Sequence, residues 1–202
     1  MEISAPGQVY GWIAYLSAAA TLLTLITGIL FFTVGKRFGE PVGKINDVAS
    51  VFQVLLMIPL AILFVQGLPS SILASILGWL AAVVGILGML ISAFGQSLLI
   101  FGRIDFEGST RFFPAGGAIG VWLIAICALA MSNGQLPPLM AWIGILAGAG
   151  YIATVIGFLW GGQANALFYI GGFVLGIAYP AWAIWLGHLL LSGTFWGDGY
   201  VR

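Results

Sequence analysis

The chain has 202 residues, 61% of them apolar and only 6% charged, and its six acids and six bases cancel. A soluble domain carries about 25% charged residues, so a water-exposed globule is excluded and lipid is left as the solvent for this surface. Neutrality also removes the electrostatic case for nucleic acid or for strong attraction to anionic headgroups.

Six apolar runs are long enough to cross a hydrocarbon core of roughly 30 Å as helices. The first, 9–34, opens on Tyr10 and Trp12. It follows Glu2 without a basic residue and exceeds the apolar stretch of a signal peptide, about 7–15 residues, so it reads as a retained span. A breaker cluster at 35–43 ends it, and this first loop holds Lys36, Arg37 and Lys44. The segment 35–44 is not a phosphate-binding loop, because Phe38 stands where that motif needs glycine and Ile45 where it needs Ser or Thr.

The second run, 47–66, starts at Asn46 and Asp47, which read as a helix N-cap and a carboxylate complementing the helix dipole. It carries Gln53, and Pro59 frees the carbonyl of Leu55. After the breaker at 67–70, the third run, 72–101, carries Gln96. The loop beyond it gathers Arg103, Asp105, Glu107 and Arg111. If helical, Arg103, Glu107 and Arg111 form a stripe of alternating sign; if extended, Arg103, Asp105 and Glu107 share one side.

Phe112 and Phe113 precede the fourth run, 114–132, as an interfacial aromatic pair. Its Cys127 is the only cysteine, so neither an intrachain disulfide nor a structural zinc site can form. The fifth run is 139–160 and the sixth 166–191, the latter containing Pro180, which frees the Gly176 carbonyl. Tyr179, Trp182, Trp185 and His188 recur every third residue there, drifting about 60° per step around the helix. His188, the only histidine, is the one candidate to ligate a haem or pigment metal. Trp196 and Tyr200 follow as interfacial aromatics.

Uninterrupted apolar runs make helices, not the alternating strands of a barrel. The expected fold is all-α: a single domain over 1–202, a polytopic transmembrane bundle of six spans with short loops. Five bases lie in the first and third loops and only Arg202 on the other face. The positive-inside rule then puts loops one, three and five in the cytoplasm, with both termini of this multi-pass cell-membrane protein outside. Lys36, Arg37, Lys44, Arg103, Asp105, Glu107 and Arg111 form the cytoplasmic rim, fixing topology or, alternatively, binding headgroups or moving protons.

Glycine numbers 30, about twice the usual share of roughly 7%. Small residues four apart recur at Thr24/Gly28, Ala81/Gly85, Gly88/Ser92, Gly116/Gly120, Gly144/Gly148 and Gly172/Gly176, and read as seams where helix backbones approach. No span carries an Asp, Glu, Lys or Arg at its middle, which argues against proton pumps and voltage sensors.

Gly134-Gln135-Leu136-Pro137, followed by Gly144, Gly148, Gly150 and Tyr151, resembles the junction of the fourth and fifth spans in bacterial six-span membrane proteins of unknown function. Phe112-Phe113-Pro114-Ala115-Gly116-Gly117 before the fourth span is similar to the same group. The resemblance covers the C-terminal half, implies a prokaryotic membrane origin, and carries over no functional residue.

Four functions follow from these features. A structural or accessory role, with a protein partner or a homo-oligomer in the lipid, rests on the glycine seams. A carrier for a weakly polar or lipidic molecule would use Gln53, Gln96 and the two prolines to make a cavity. An interfacial lipid-modifying enzyme would use Arg103, Asp105, Glu107 and Arg111, and a pigment or haem subunit His188. The weight falls on a non-enzyme without resident cofactor or metal.

Overall fold

A computed structural model of the protein describes residues 5–33, 36–67 and 71–195. Glu2, residues 68–70, Trp196, Tyr200, Arg202 and the side chains of Lys36 and Arg37 lie outside the described residues. Six helices are long and apolar enough to cross a bilayer, and the described residues contain no strand. They are α1 (Ala5–Thr33), α2 (Lys36–Gly67), α3 (Ile72–Ile100), α5 (Ala115–Ser132), α6 (Pro138–Gly161) and α7 (Ala166–Leu191), with a single-turn α4 (Phe106–Ser109) before α5. The chain is a multi-pass integral membrane protein.

Local chemistry sets several ends. Ser71 caps α3 by accepting from the Ala74 N–H at 3.2 Å, and Asn165 caps α7 by accepting from the Leu167 N–H at 2.9 Å. Beyond α3, Gly102 takes φ 64°, a left-handed turn that a side chain disfavours and that commonly stops a helix.

Two expectations are corrected. The second helix starts at Lys36, so much of the predicted breaker is helical and Asp47 lies about three turns inside, not in the first turn. Asn46 is therefore no cap: its Nδ2 donates to the Thr24 carbonyl at 2.7 Å and to Thr27 Oγ1 at 3.0 Å, fastening α2 to α1. Counting apolar residues finds where a helix meets hydrocarbon, and that is not where it begins. The third loop is neither one helix nor extended. Asp105 Oδ1 accepts from the Gly108 N–H at 2.7 Å and caps α4, and a 3-10 turn over Thr110–Phe112 follows. Among the described residues, no ion pair links Arg103 or Arg111 to Asp105 or Glu107.

Each spanning helix packs on its neighbours in the chain and α7 returns to α1, closing a ring in the order α1, α2, α3, α5, α6, α7. Lipid tails give helices no hydrophobic reason to associate, so close backbone approach supplies the contact. At the crossing of α5 and α6, a Cβ on Gly120 would stand 2.6 Å from the Gly148 carbonyl oxygen, and one on Gly148 would stand 2.7 Å from that of Gly120. Gly150 and Gly171 do the same for α6 and α7.

The outward faces are apolar, with Ile72 79% and Trp160 78% exposed. Contiguous apolar surface on that scale belongs in lipid. Inside, Phe64, Met57, Trp122, Tyr179 and Trp182 are at most 2% exposed. They fill the ring from its middle toward the end where α2 finishes. The other end, where Lys44, Arg103 and Arg111 lie, is called the basic end below.

Candidate functional site

Toward the basic end, the ring axis holds a cavity of about 200 Å³, lined by side chains from all six spanning helices. Its polar residues come in pairs one turn apart, so that each pair shares a helix face. Ser50 and Gln53 come from α2, Ser92 and Gln96 from α3, and Tyr151 and Thr154 from α6. Thr24 of α1 and Ser109 of α4 join them, and among the described residues no charged side chain lines the space.

Four of the hydroxyl protons here are spent on the protein's own backbone. Thr24 donates to the Ala20 carbonyl at 3.0 Å, Ser50 to Asn46 at 2.8 Å, Thr154 to Gly150 at 2.8 Å and Ser109 to Phe106 at 2.6 Å. A hydroxyl keeps lone pairs after donating, so these groups present acceptors to the cavity. Gln53 Nε2 donates to the Tyr151 hydroxyl at 2.8 Å, and that hydroxyl donates on to Met57 Sδ at 3.6 Å. Gln96 Oε1 is buried and meets no donor among the described residues. Leaving such an acceptor unpaired costs about 1–3 kcal/mol. The described lining therefore offers hydroxyl acceptors, and the Ser92 hydroxyl and Gln96 amide as donors, without a charge.

Its floor is aromatic. Phe112 and Phe113, expected as lipid-facing interfacial rings, turn inward and line the cavity. Phe113 stacks on Phe158 of α6 at 4.4 Å between centroids and meets Phe168 of α7 at 5.9 Å. The single turn of α4 and the 3-10 turn after it carry the chain inward under the ring.

A second space, a groove of about 660 Å³ between α1 and α7, shares Thr24, Gln53, Thr154 and Leu175 with the cavity. Gly28 and Gly172, one residue from each of two predicted seams, bound it rather than close it. Nothing lies within 4 Å of where a Cβ on Gly172 would be, and only Asn46 Nδ2, at 3.6 Å, near that of Gly28.

Of the residues singled out from sequence, Gln53 and Gln96 come together in the cavity. Arg103, Asp105, Glu107 and Arg111 are exposed at the basic end, apart from it. Lys44 borders a separate apolar groove between α1 and α2. His188 is exposed in the last turn of α7, at the opposite end from the cavity. Cys127 is buried beside Gly144 and Trp182. Among the described residues, no three His, Cys, Asp or Glu side chains come together to hold a metal.

Sequence reasoning missed Thr24, Ser50, Ser92, Tyr151 and Thr154 as cavity groups. A signal was there: three polar pairs at three- or four-residue spacing inside otherwise apolar spans. No known protein family, curated protein or solved structure matches the chain.

Proposed function

We propose that the protein is a membrane-embedded binding protein or carrier for a small uncharged polar molecule. The observation that carries this reading is the polar lining itself, hydroxyl and amide groups brought from α1, α2, α3, α4 and α6 onto one space inside an apolar bundle. With no counter-charge among the described lining residues, an ionised ligand would lose its hydration without compensation. The positive-inside rule sets the basic end, and with it the cavity, on the cytoplasmic side.

The glycine seams that motivate an assembly role are largely taken up within the chain, by Gly85 against Trp122, Gly120 against Gly148 and Gly176 against Leu25. The cavity is the feature that packing alone leaves unexplained.

The test is ligand retention. The protein is purified in nanodiscs, and bound small molecules are extracted and identified by mass spectrometry. Gln53→Leu with Gln96→Leu lowers occupancy of the extracted compound by about tenfold per side chain, the equivalent of about 1.4 kcal/mol each. Equal occupancy in wild type and double variant overturns the reading.

A further inference from the structure

α1 and α7 touch along only part of their length. Away from the basic end, a Cβ on Gly187 would stand 3.0 Å from the Gly11 carbonyl oxygen, Ser17 Oγ meets the Tyr179 hydroxyl at 2.5 Å, and a Cβ on Gly176 would stand 2.7 Å from Leu25 Cδ1. One turn farther toward the basic end the helices part. Gly172 faces open space, and the groove between the helices reaches inward to the same Thr24, Gln53, Thr154 and Leu175 that wall the axial cavity. The lips of the groove are apolar and exposed: Ile29 is 48%, Phe173 55% and Ile170 57% accessible. In a membrane those lips face acyl chains.

From the wall that groove and cavity share we infer that the gap between α1 and α7 is a lateral portal for a single-chain lipid with an uncharged, hydroxyl- or amide-bearing head. The head sits in the axial cavity and the tail lies along the groove. The inference rests on the cavity being a binding site, as proposed above, and adds the ligand's shape and its route.

Three observations select this occupant. The cavity, at about 200 Å³, has room for a head and not for a long chain. The groove follows α1 from Thr21 to Thr33, a rise of about 18 Å, against about 15 Å for one leaflet of a roughly 30 Å core. It is therefore about one chain long and slightly exceeds one leaflet of the core. Among the described residues no Asp, Glu, Lys or Arg lines either space, so a phosphate or ammonium head finds no partner there, whereas the hydroxyls of a glycerol head meet acceptors.

The test uses the full chain in phosphatidylcholine nanodiscs and a monoacylglycerol carrying a diazirine in its acyl chain. Illumination labels α1 and α7 peptides that flank Gly28 and Gly172. Unlabelled monoacylglycerol competes; the methyl ester and the lysophosphatidic acid of the same chain do not. Gly172→Leu, whose Cβ meets nothing within 4 Å, is expected to keep the melting temperature and to lower labelling at least about tenfold. Gln96→Leu lowers it through the head site. Labelling reduced by Gln96→Leu but not by Gly172→Leu overturns the portal and leaves the cavity reading standing. Labelling unchanged by either variant, or equal competition by the methyl ester, overturns both. A wild-type dimer in the nanodisc that Gly172→Leu turns into a monomer assigns the groove to a second copy of the chain and overturns the lipid.

Discussion

Gln53 on α2 and Tyr151 on α6 are joined across the ring axis by a 2.8 Å hydrogen bond, although their helices stand opposite each other in the ring. Asn46 and Ser17 bond across ring neighbours, whereas this bond spans the bore. It sets the width of the cavity at that level, and Tyr151 passes the connection back to α2 through Met57.

Breaking this bridge from one side leaves its partner buried and unpaired. Tyr151→Phe is expected to destabilise by about 1–3 kcal/mol. Gln53→Leu combined with Tyr151→Phe costs less than the two changes summed, with a coupling of about 0.6–1.7 kcal/mol, the range for such bonds in membranes. Reversible unfolding in mixed micelles, run as a double-mutant cycle, measures it. Strict additivity would mean that the bond carries no stability.

Asn46 donates both its bonds to oxygens of α1. Asn46→Asp puts a carboxylate oxygen against the Thr24 carbonyl, acceptor against acceptor, while Asn46→Ala only removes the donor. The aspartate variant is expected to melt lower than the alanine variant, and both below wild type, in a thermal scan of the purified protein.

Glycines should divide by what stands beside them. Gly120→Ala pushes a methyl to 2.6 Å from a backbone oxygen of α6, so a helix must shift, with a loss of several °C and of folded yield. Gly172→Ala meets nothing and gains helix propensity of up to about 1 kcal/mol. Paired melting curves decide it, and the reverse order would show that the groove is closed in the membrane.

The topology is tested by insertion. A reporter active only in the cytoplasm, placed after Gly108, is expected to be active, and the same reporter after Gly134 silent. The opposite result puts the cavity on the other face of the membrane.

The spans were legible because hydrocarbon demands about 20 apolar residues per crossing, and the uncharged stretches through Ala81, Gly148 and Gly176 meet that demand. The start of α2 was not, because Lys36 and Arg37 extend a helix into water, where apolarity is no guide. Gln53 and Gln96 stood out as polar residues in apolar spans, but their meeting did not. Nothing local tells which face of α3 turns inward, since lipid and core are both apolar and the amphipathic stripe that orients a soluble helix is muted. The Gln53–Tyr151 bond joins residues 98 positions apart, so it becomes visible only once the ring order is known.

Trp182, stacked on Phe64 at 5.6 Å, and Trp122 are fully buried on the side of the ring away from the basic end. Under the binding reading proposed above, a guest would leave by the route it came, so occupancy would follow its abundance in one leaflet and be blind to the far compartment. Passage onward would require the indole to swing away from its stack, which would make Trp182 the barrier between a molecule that samples its lipid surroundings and one that moves cargo through them.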